Sequence, residues 1–368
     1  MKKIAVIHYL PLEYYPPVTN FLDVIGKEKG VKVKVWSTKN VKNRSIYTNS
    51  GLSNISRAPL VNPKTHIAFR LLKYLFFNIN CLIGLIVLNP KRVLYYESYS
   101  AWPVYWYMRV FGKYKELYIH HHEYFNKEWY KKGMKLNRLY HKFETEYLYH
   151  KAIWISQTNE DRVQLFLEDN PGLSKDKMKI LPNYPPKKWE EISTSISLED
   201  EKLRIVYVGS LSLEATYIKE FCTWVQNQEG NVIFDIYSYN LHKDTAKYLN
   251  SINCLFINFY DQGVEYDNLP NVLGSYDVGI ILYKAQTDNF KYNAPNKLFE
   301  YLVCNLQVWY PNKMLGIRRY ENEDVVSINF EKIIDFNYLN VVFNEKQNKK
   351  CIYIADQALK PLIIPLIK

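Results

Sequence analysis

The sequence predicts an α/β protein of two doubly wound domains, each a parallel sheet with helices on both faces. Three observations point there. Short apolar runs recur that do not alternate and that end at polar residues, as parallel strands buried on both faces do. Helical segments lie between them. The whole pattern then starts again after a polar stretch at 187–202.

In the first half the strand candidates are Ile4–Ile7, Val31–Trp36, Val93–Tyr96, Leu117–Ile119 and Ala152–Ile155. Val18–Lys29, Ile67–Leu88, Ala101–Phe111 and Leu136–Tyr149 read as the intervening helices, and Arg162–Leu167 opens another. Lys179–Leu181 is followed by Pro182-Asn183-Tyr184-Pro185-Pro186, a stop signal and a plausible strand exit. Residues 187–202 form a Ser- and Glu-bearing connector, which includes the acidic run Glu199-Asp200-Glu201. The boundary is expected there, giving domains 1–190 and 191–368, with the last helix able to cross back to the first domain. In the second half Arg204–Gly209 is a buried strand ending in glycine. The pattern repeats through Val232–Tyr237, Cys254–Phe259, Val278–Leu282 and a strand beginning near Leu306. Open sheets of this kind bind ligands at the carboxyl ends of their strands.

The chain of 368 residues has room for two cores, and its 48% hydrophobic and 23% charged content is that of a globular protein. Its five cysteines (Cys81, Cys222, Cys254, Cys304 and Cys351) are scattered, odd in number and form no C-x-x-C pair. They argue against a disulfide scaffold and a zinc site and for a reducing compartment. Met1–His8 is too short an apolar run for a signal peptide and reads as a first strand, so a cytoplasmic location is expected. The apolar stretch Tyr74–Leu88 carries Asn78 and Asn80 and falls short of the roughly 20 residues a spanning helix needs. With Arg70 and Lys73 before it and Lys91 and Arg92 after, it reads as a helix on a membrane surface or, the commoner case, one packed on the first sheet.

The net charge of +11 is unevenly divided. Residues 1–190 hold 31 Lys and Arg against 15 Asp and Glu, a net +16, whereas 191–368 hold 17 against 22, a net −5. A composition rich in Lys, Asn, Ile and Tyr accounts for part of the excess, but should act on both halves alike. The basic half suggests an anionic partner such as a phospholipid surface or a lipid diphosphate. Nucleic acid is disfavoured, because the basic residues are scattered and no compact binding motif is present.

The segment Tyr292–Leu302 carries the most chemistry. Pro295 suits a first helical position, because its missing N–H would have no acceptor there. Asn293 or Ala294 then becomes the cap. On the helix that follows, Leu298, Phe299, Leu302 and Val303 share an apolar face, while Asn293, Asn296, Lys297 and Glu300 line up on another. Free N–H groups, a positive dipole and an ammonium suit a diphosphate. A carboxylate one turn deeper can accept two hydrogen bonds from a ribose diol. An ordinary capped amphipathic helix is the plainer reading of the same residues.

The run Ala294–Val308 (APNKLFEYLVCNLQV) resembles the "sPNKlfEYla.G.PV" signature of donor-binding domains in GT-B glycosyltransferases, especially the family 4-like enzymes of surface-polysaccharide biosynthesis. Ile180–Pro185 resembles the family's hinge entry, Ile205–Leu211 its "lvyvGsl" strand-turn and Tyr276–Leu282 its "aDiGlil" strand, so that the likeness covers most of the chain in order. The resemblance implies the GT-B architecture, two Rossmann-like domains facing a central cleft. It places Asn296, Lys297 and the helix start (Asn293, Pro295) with the Gly209-Ser210 turn on a donor diphosphate, and Glu300 on the ribose. His122-Glu123-Tyr124-Phe125 resembles the "HE.f" element beside the transferred sugar, making Glu123 and His122 the catalytic candidates. Glu97 and His8, at the ends of other strands of the same sheet, are candidates on the acceptor side.

Adjacent residues of an extended chain point to opposite faces, so His120-His121-His122 is not expected to chelate a metal. No Asp-x-Asp pair stands at a strand end, which fits a metal-independent enzyme that neutralises its leaving diphosphate with cations and helix dipoles. The sequence departs from the family in three places. Tyr292 stands where a second glutamate is usual, Ser210 and Ala215 stand near the usual Arg and Lys, and His8–Pro17 replaces a glycine-rich loop. The expectation is therefore a cytoplasmic glycosyltransferase with no cofactor. It would move a sugar from a nucleotide sugar to a glycan or lipid-diphosphate-linked glycan, at the inner face of an anionic membrane. Retention of configuration follows from the resemblance alone; inversion would require a base such as Glu123 or Glu97. A nucleotide-sugar epimerase of the same fold, and a degenerate transferase serving as a binding subunit, are the alternatives. The aromatic run Tyr95–Tyr107 offers either stacking faces for sugar rings or core packing.

Overall fold

The structure is a computed structural model and describes residues 1–39, 44–61, 64–133, 135–192, 202–239, 241–341 and 352–368. The acidic run Glu199-Asp200-Glu201 and Cys351 lie outside the described residues. The chain divides into two compact units, one of Met1–Asn183 with Ala355–Lys368, the other of Tyr184–Ile354. The division thus falls at the proline-rich strand exit rather than at 190/191. The C-terminal segment belongs to the first unit, where the Lys2 ammonium and the Arg92 guanidinium donate to the carbonyls of Ile367 and Leu366 (2.7 and 3.2 Å).

The first unit is a parallel seven-stranded sheet of β1 (Lys2–His8), β2 (Val31–Thr38), β3 (Asn54–Ala58), β4 (Arg92–Tyr96), β5 (Glu116–His120), β6 (Trp154–Gln157) and β7 (Met178–Ile180). Its strand order is β3-β2-β1-β4-β5-β6-β7. The order reverses between β1 and β4, with His8 opposite Tyr96, and ligands of such sheets bind outside the strand ends at that point. Helices α1 (Pro16–Ile25), α2 (Ile67–Leu88) and α3 (Ala101–Phe111) are among those that cover it.

Helix α2, 22 residues long, is long and apolar enough to cross a bilayer, with a mean hydropathy of 2.0 over its most apolar 18 residues, which corrects the shorter stretch expected from Tyr74. One stripe of it, Phe77, Cys81, Leu85 and Leu88, is buried in the first unit's core. Gly84 fits there because a Cβ would lie 2.5 Å from the Trp36 ring. The opposite face is exposed.

The second unit is a parallel six-stranded sheet of β8 (Leu203–Val208), β9 (Val232–Tyr237), β10 (Ile257–Tyr260), β11 (Val278–Ile280), β12 (Gln307–Pro311) and β13 (Val325–Ile328). Its order, β10-β9-β8-β11-β12-β13, reverses between β8 and β11. The Asn296–Val303 helix connects β11 to β12 and buries Leu298, Phe299, Tyr301 and Val303. Tyr301 fixes its placement: its ring lies over Gly279, where a Cβ would approach to 2.2 Å, and its hydroxyl accepts from the Val208 N–H at 3.1 Å. The helix is thereby pinned to the last residue of β8.

Candidate functional site

In the second unit the end of β8 and the start of that helix meet at Lys297. Its ammonium donates to the hydroxyls of Tyr207 (3.1 Å) and Tyr283 (3.3 Å) and lies 4.2 Å from the centre of the Tyr207 ring. Burial disfavours the charge, but the two tyrosine oxygens more than offset it and raise the pKa above the ordinary lysine value. Gly209 has a φ of +124°, and a Cβ there would sit 3.1 Å from the Lys297 Nζ. Glycine is therefore needed twice, for the backbone and for the space. Ser210 is exposed; its carbonyl accepts the Tyr207 hydroxyl at 2.6 Å.

The helix starts one residue later than expected. Pro295, not Asn293 or Ala294, is the cap, Asn296 is the first helical residue, and no side chain among the described residues caps the end. A proline ring has no side-chain acceptor, so the first turn's N–H groups receive no side-chain cap. Asn293 and Asn296 are half-buried beside it. Glu300 follows one turn on and is partly buried; burial pushes its carboxyl up to about 7 against the opposing pull of the Lys297 charge. The structure thus gathers Gly209, Ser210, Pro295, Asn296, Lys297 and Glu300 on neighbouring elements at the point of strand reversal. Tyr207, Tyr283 and Tyr301 complete the arrangement. Sequence reasoning missed these three because a tyrosine in an apolar run reads as core.

In the first unit the carboxyl ends of β1, β4, β5 and β6 present His8, Glu97, His120–His122 and Gln157. Glu97 adopts φ 59°, a strained conformation for a residue with a side chain. Its carboxylate accepts the His122 backbone N–H at 2.6 Å and faces His121 Nδ1 at 3.7 Å. His120 and His122 contact through Nε2 and Nδ1 at 3.1 Å, while His121 turns the other way, toward the fully buried Glu144. The alternation expected of an extended chain holds, and all three imidazoles are buried. Among the described residues no three His, Cys, Asp or Glu side chains converge as a metal-holding group.

Both ring nitrogens of His8, Nε2 of His122 and the Tyr96 hydroxyl have no hydrogen-bond partner among the described residues. Each such group costs about 1–3 kcal/mol when left unmade. Burial, and next the neighbouring His122, hold His8 well below the ordinary imidazole value; burial likewise lowers His122 against the pull of Glu97. Both are thus kept toward the neutral form, able to donate and accept. Glu123 is exposed and lies 3.7 Å from the Arg162 guanidinium, which also donates to the His122 carbonyl at 2.6 Å. Most of the aromatic run at 95–107 is packing: Tyr95, Tyr96 and Tyr107 are buried, Tyr99, Trp102 and Tyr105 are partly buried against the core, and Trp106 is exposed.

No family model and no curated protein sequence matches the chain. Solved structures do. The N-terminal domain of Candida albicans trehalose-6-phosphate phosphatase is similar at 12% identity and a TM-score of 0.72, over 100% of this chain and 96% of that one. The lipopolysaccharide outer core galactosyltransferase WaaB matches at 13% identity and a TM-score of 0.60, over 99% of this chain and 98% of that one. The UDP-GlcNAc 2-epimerase of Neisseria meningitidis, solved with UDP-GlcNAc, matches at 12% and 0.60, over 99% of each chain. The fold is GT-B. Both switch points of this GT-B chain therefore carry polar groups, an ammonium with a carboxylate in one unit and neutral imidazoles with a carboxylate in the other.

Proposed function

We propose that the protein is a glycosyltransferase that moves a sugar from a nucleotide-sugar donor to a hydroxyl of a glycan or lipid-linked glycan. The observation that carries this is the second unit's site, where a buried, tyrosine-held ammonium adjoins a glycine turn and a helix end without a side-chain cap, with a carboxylate one turn on. Lys297 and the N–H groups near Asn296 neutralise the diphosphate, with Asn293, Pro295, Gly209 and Ser210 shaping its seat, and no metal is required. Ionised Glu300 accepts the ribose diol. In the first unit His8 and His122 bind the acceptor hydroxyls through their unpaired nitrogens. Glu123 is the carboxylate for proton transfer, and Glu97 positions His122 through its backbone N–H. Retention of configuration accords with the sequence resemblance and is read from the anomeric coupling of the product. The acceptor is proposed to be lipid-diphosphate-linked, in capsule or O-antigen assembly at the cytoplasmic face of an anionic membrane, as the basic first half suggests.

Glu300→Ala should abolish nucleotide-sugar binding in calorimetry, while the fold, followed by circular dichroism, stays intact. Unchanged affinity would remove the donor assignment. The likeness to UDP-GlcNAc 2-epimerases over nearly the whole chain supports one other reading, that of an epimerase. Incubation with the donor alone separates the two, because only an epimerase turns over without an acceptor.

A further inference from the structure

The outward face of α2 and the adjoining face of α3 are unaccounted for by either site. In a soluble domain a helix buries its apolar face and offers water a polar one. Helix α2 is apolar on both. Beyond its buried stripe, Phe69, Leu72, Leu75, Phe76, Ile79 and Ile83 are 43–63% exposed, and several of them line a groove of about 570 Å³. Beside it α3 exposes Trp106, Val110 and Phe111, and Tyr114 follows at 78%. An apolar patch this continuous marks an interaction surface.

Charge identifies the partner. Residues 29–96, which contain the whole of α2, hold twelve Lys and Arg and no Asp or Glu; Arg57 pairs with Glu13, and Lys91 and Arg92 with Glu116, which leaves the balance basic. Lys91 just past α2, Arg109 in the last turn of α3 and Lys113 just past it are exposed. A second copy of the chain, docked by two-fold symmetry, would set this basic margin against itself. An anionic lipid surface neutralises it. Nor can α2 span a bilayer in this fold, although about 33 Å of helix would suffice. Phe77, Cys81, Leu85 and Leu88 are held in the core, and Gly84 is closed onto Trp36.

We propose that α2 and α3 form an in-plane membrane anchor, seating their outer faces among the acyl chains of an anionic leaflet while the flanking cations meet the headgroups. This deepens the membrane reading above by assigning it a surface. The patch itself does not depend on sugar transfer.

Flotation with vesicles tests it. The wild-type chain should float with vesicles containing phosphatidylglycerol and much less with pure phosphatidylcholine. Added salt should weaken the binding without abolishing it, because the apolar contacts are unscreened. The double variant Leu72→Asp/Phe76→Asp should lower the bound fraction roughly tenfold or more, given the cost of carboxylates at that depth. Its circular dichroism melt and its donor affinity should match wild type; if it melts early, Leu72→Ser/Phe76→Ser replaces it. Wild type left in the dense fractions, or a folded variant that floats as well, overturns the proposal. So does a lipid-free dimer in light scattering that the variant splits, which would assign the face to a second copy. Donor affinity in calorimetry reads the transferase proposal separately, so the two fail independently.

Discussion

At the end of β8 the group beside the switch point is a lysine, held by two tyrosine hydroxyls and kept charged. At the ends of β1 and β5 the groups are histidines whose burial favours the uncharged form. The two sheets have the same kind of winding, and the strand order reverses once in each. What differs is the partner supplied to each ionisable group. Oxygen acceptors around Lys297 stabilise a fixed cation, which suits phosphate. Aromatic rings around His8, from Tyr15 and Tyr96, offer no such help, and neutral imidazoles suit hydroxyls. One architecture thus presents a fixed cation in one unit and neutral imidazoles in the other, by a change of the ionisable group and of its neighbours.

The largest test of that division is Lys297→Ala. Losing a charge-assisted contact to phosphate should weaken donor binding by roughly a hundredfold in calorimetry, with the acceptor KM unmoved. Equal losses on both sides would break the division. Next is Glu97→Gln, which still accepts the His122 N–H but removes the carboxylate charge facing His121. Turnover should fall about tenfold with donor affinity unchanged. A shift in donor affinity instead would make Glu97 a donor residue.

The smallest effect is a pH dependence that sharpens the picture of Glu300. Its folded-state carboxyl titrates near 7, above the ordinary carboxylate range, so it gains a proton as the pH falls below 7. Only the ionised form accepts both hydroxyls of a diol. Affinity for a nucleotide sugar should therefore fall severalfold between pH 8 and pH 6. Glu300→Gln should flatten that profile, and a flat wild-type profile would detach Glu300 from the ligand.

Much of this was legible in the sequence. β9 and helices α2 and α3 have the bounds their residues suggested, because strands buried on both faces and helices with an unbroken apolar pattern leave clear signals. β3 and β13 were missed. Both are edge strands, and the Asn-Ile-Ser-Arg-Ala of β3 carries too little apolar character to stand out. Lys297, Gly209 and Glu300 were readable as a motif, since local spacing carries their chemistry. The tyrosines that hold Lys297 were not, because their roles depend on β8 and β11 lying side by side. Glu144 was hidden for a related reason. It lies in a π-helical turn at Glu144–Leu148 and reaches His121 only through tertiary packing.

An ammonium carries three N–H bonds in fixed tetrahedral directions. In Lys297 two of them point to Tyr207 and Tyr283, so the third is aimed, and the absent side chain of Gly209 leaves room at that nitrogen. The residue then behaves less as a diffuse positive cloud than as a single directed donor. Stoichiometry is built into the contact. A guanidinium, planar and wider, would bring the same charge with the wrong count.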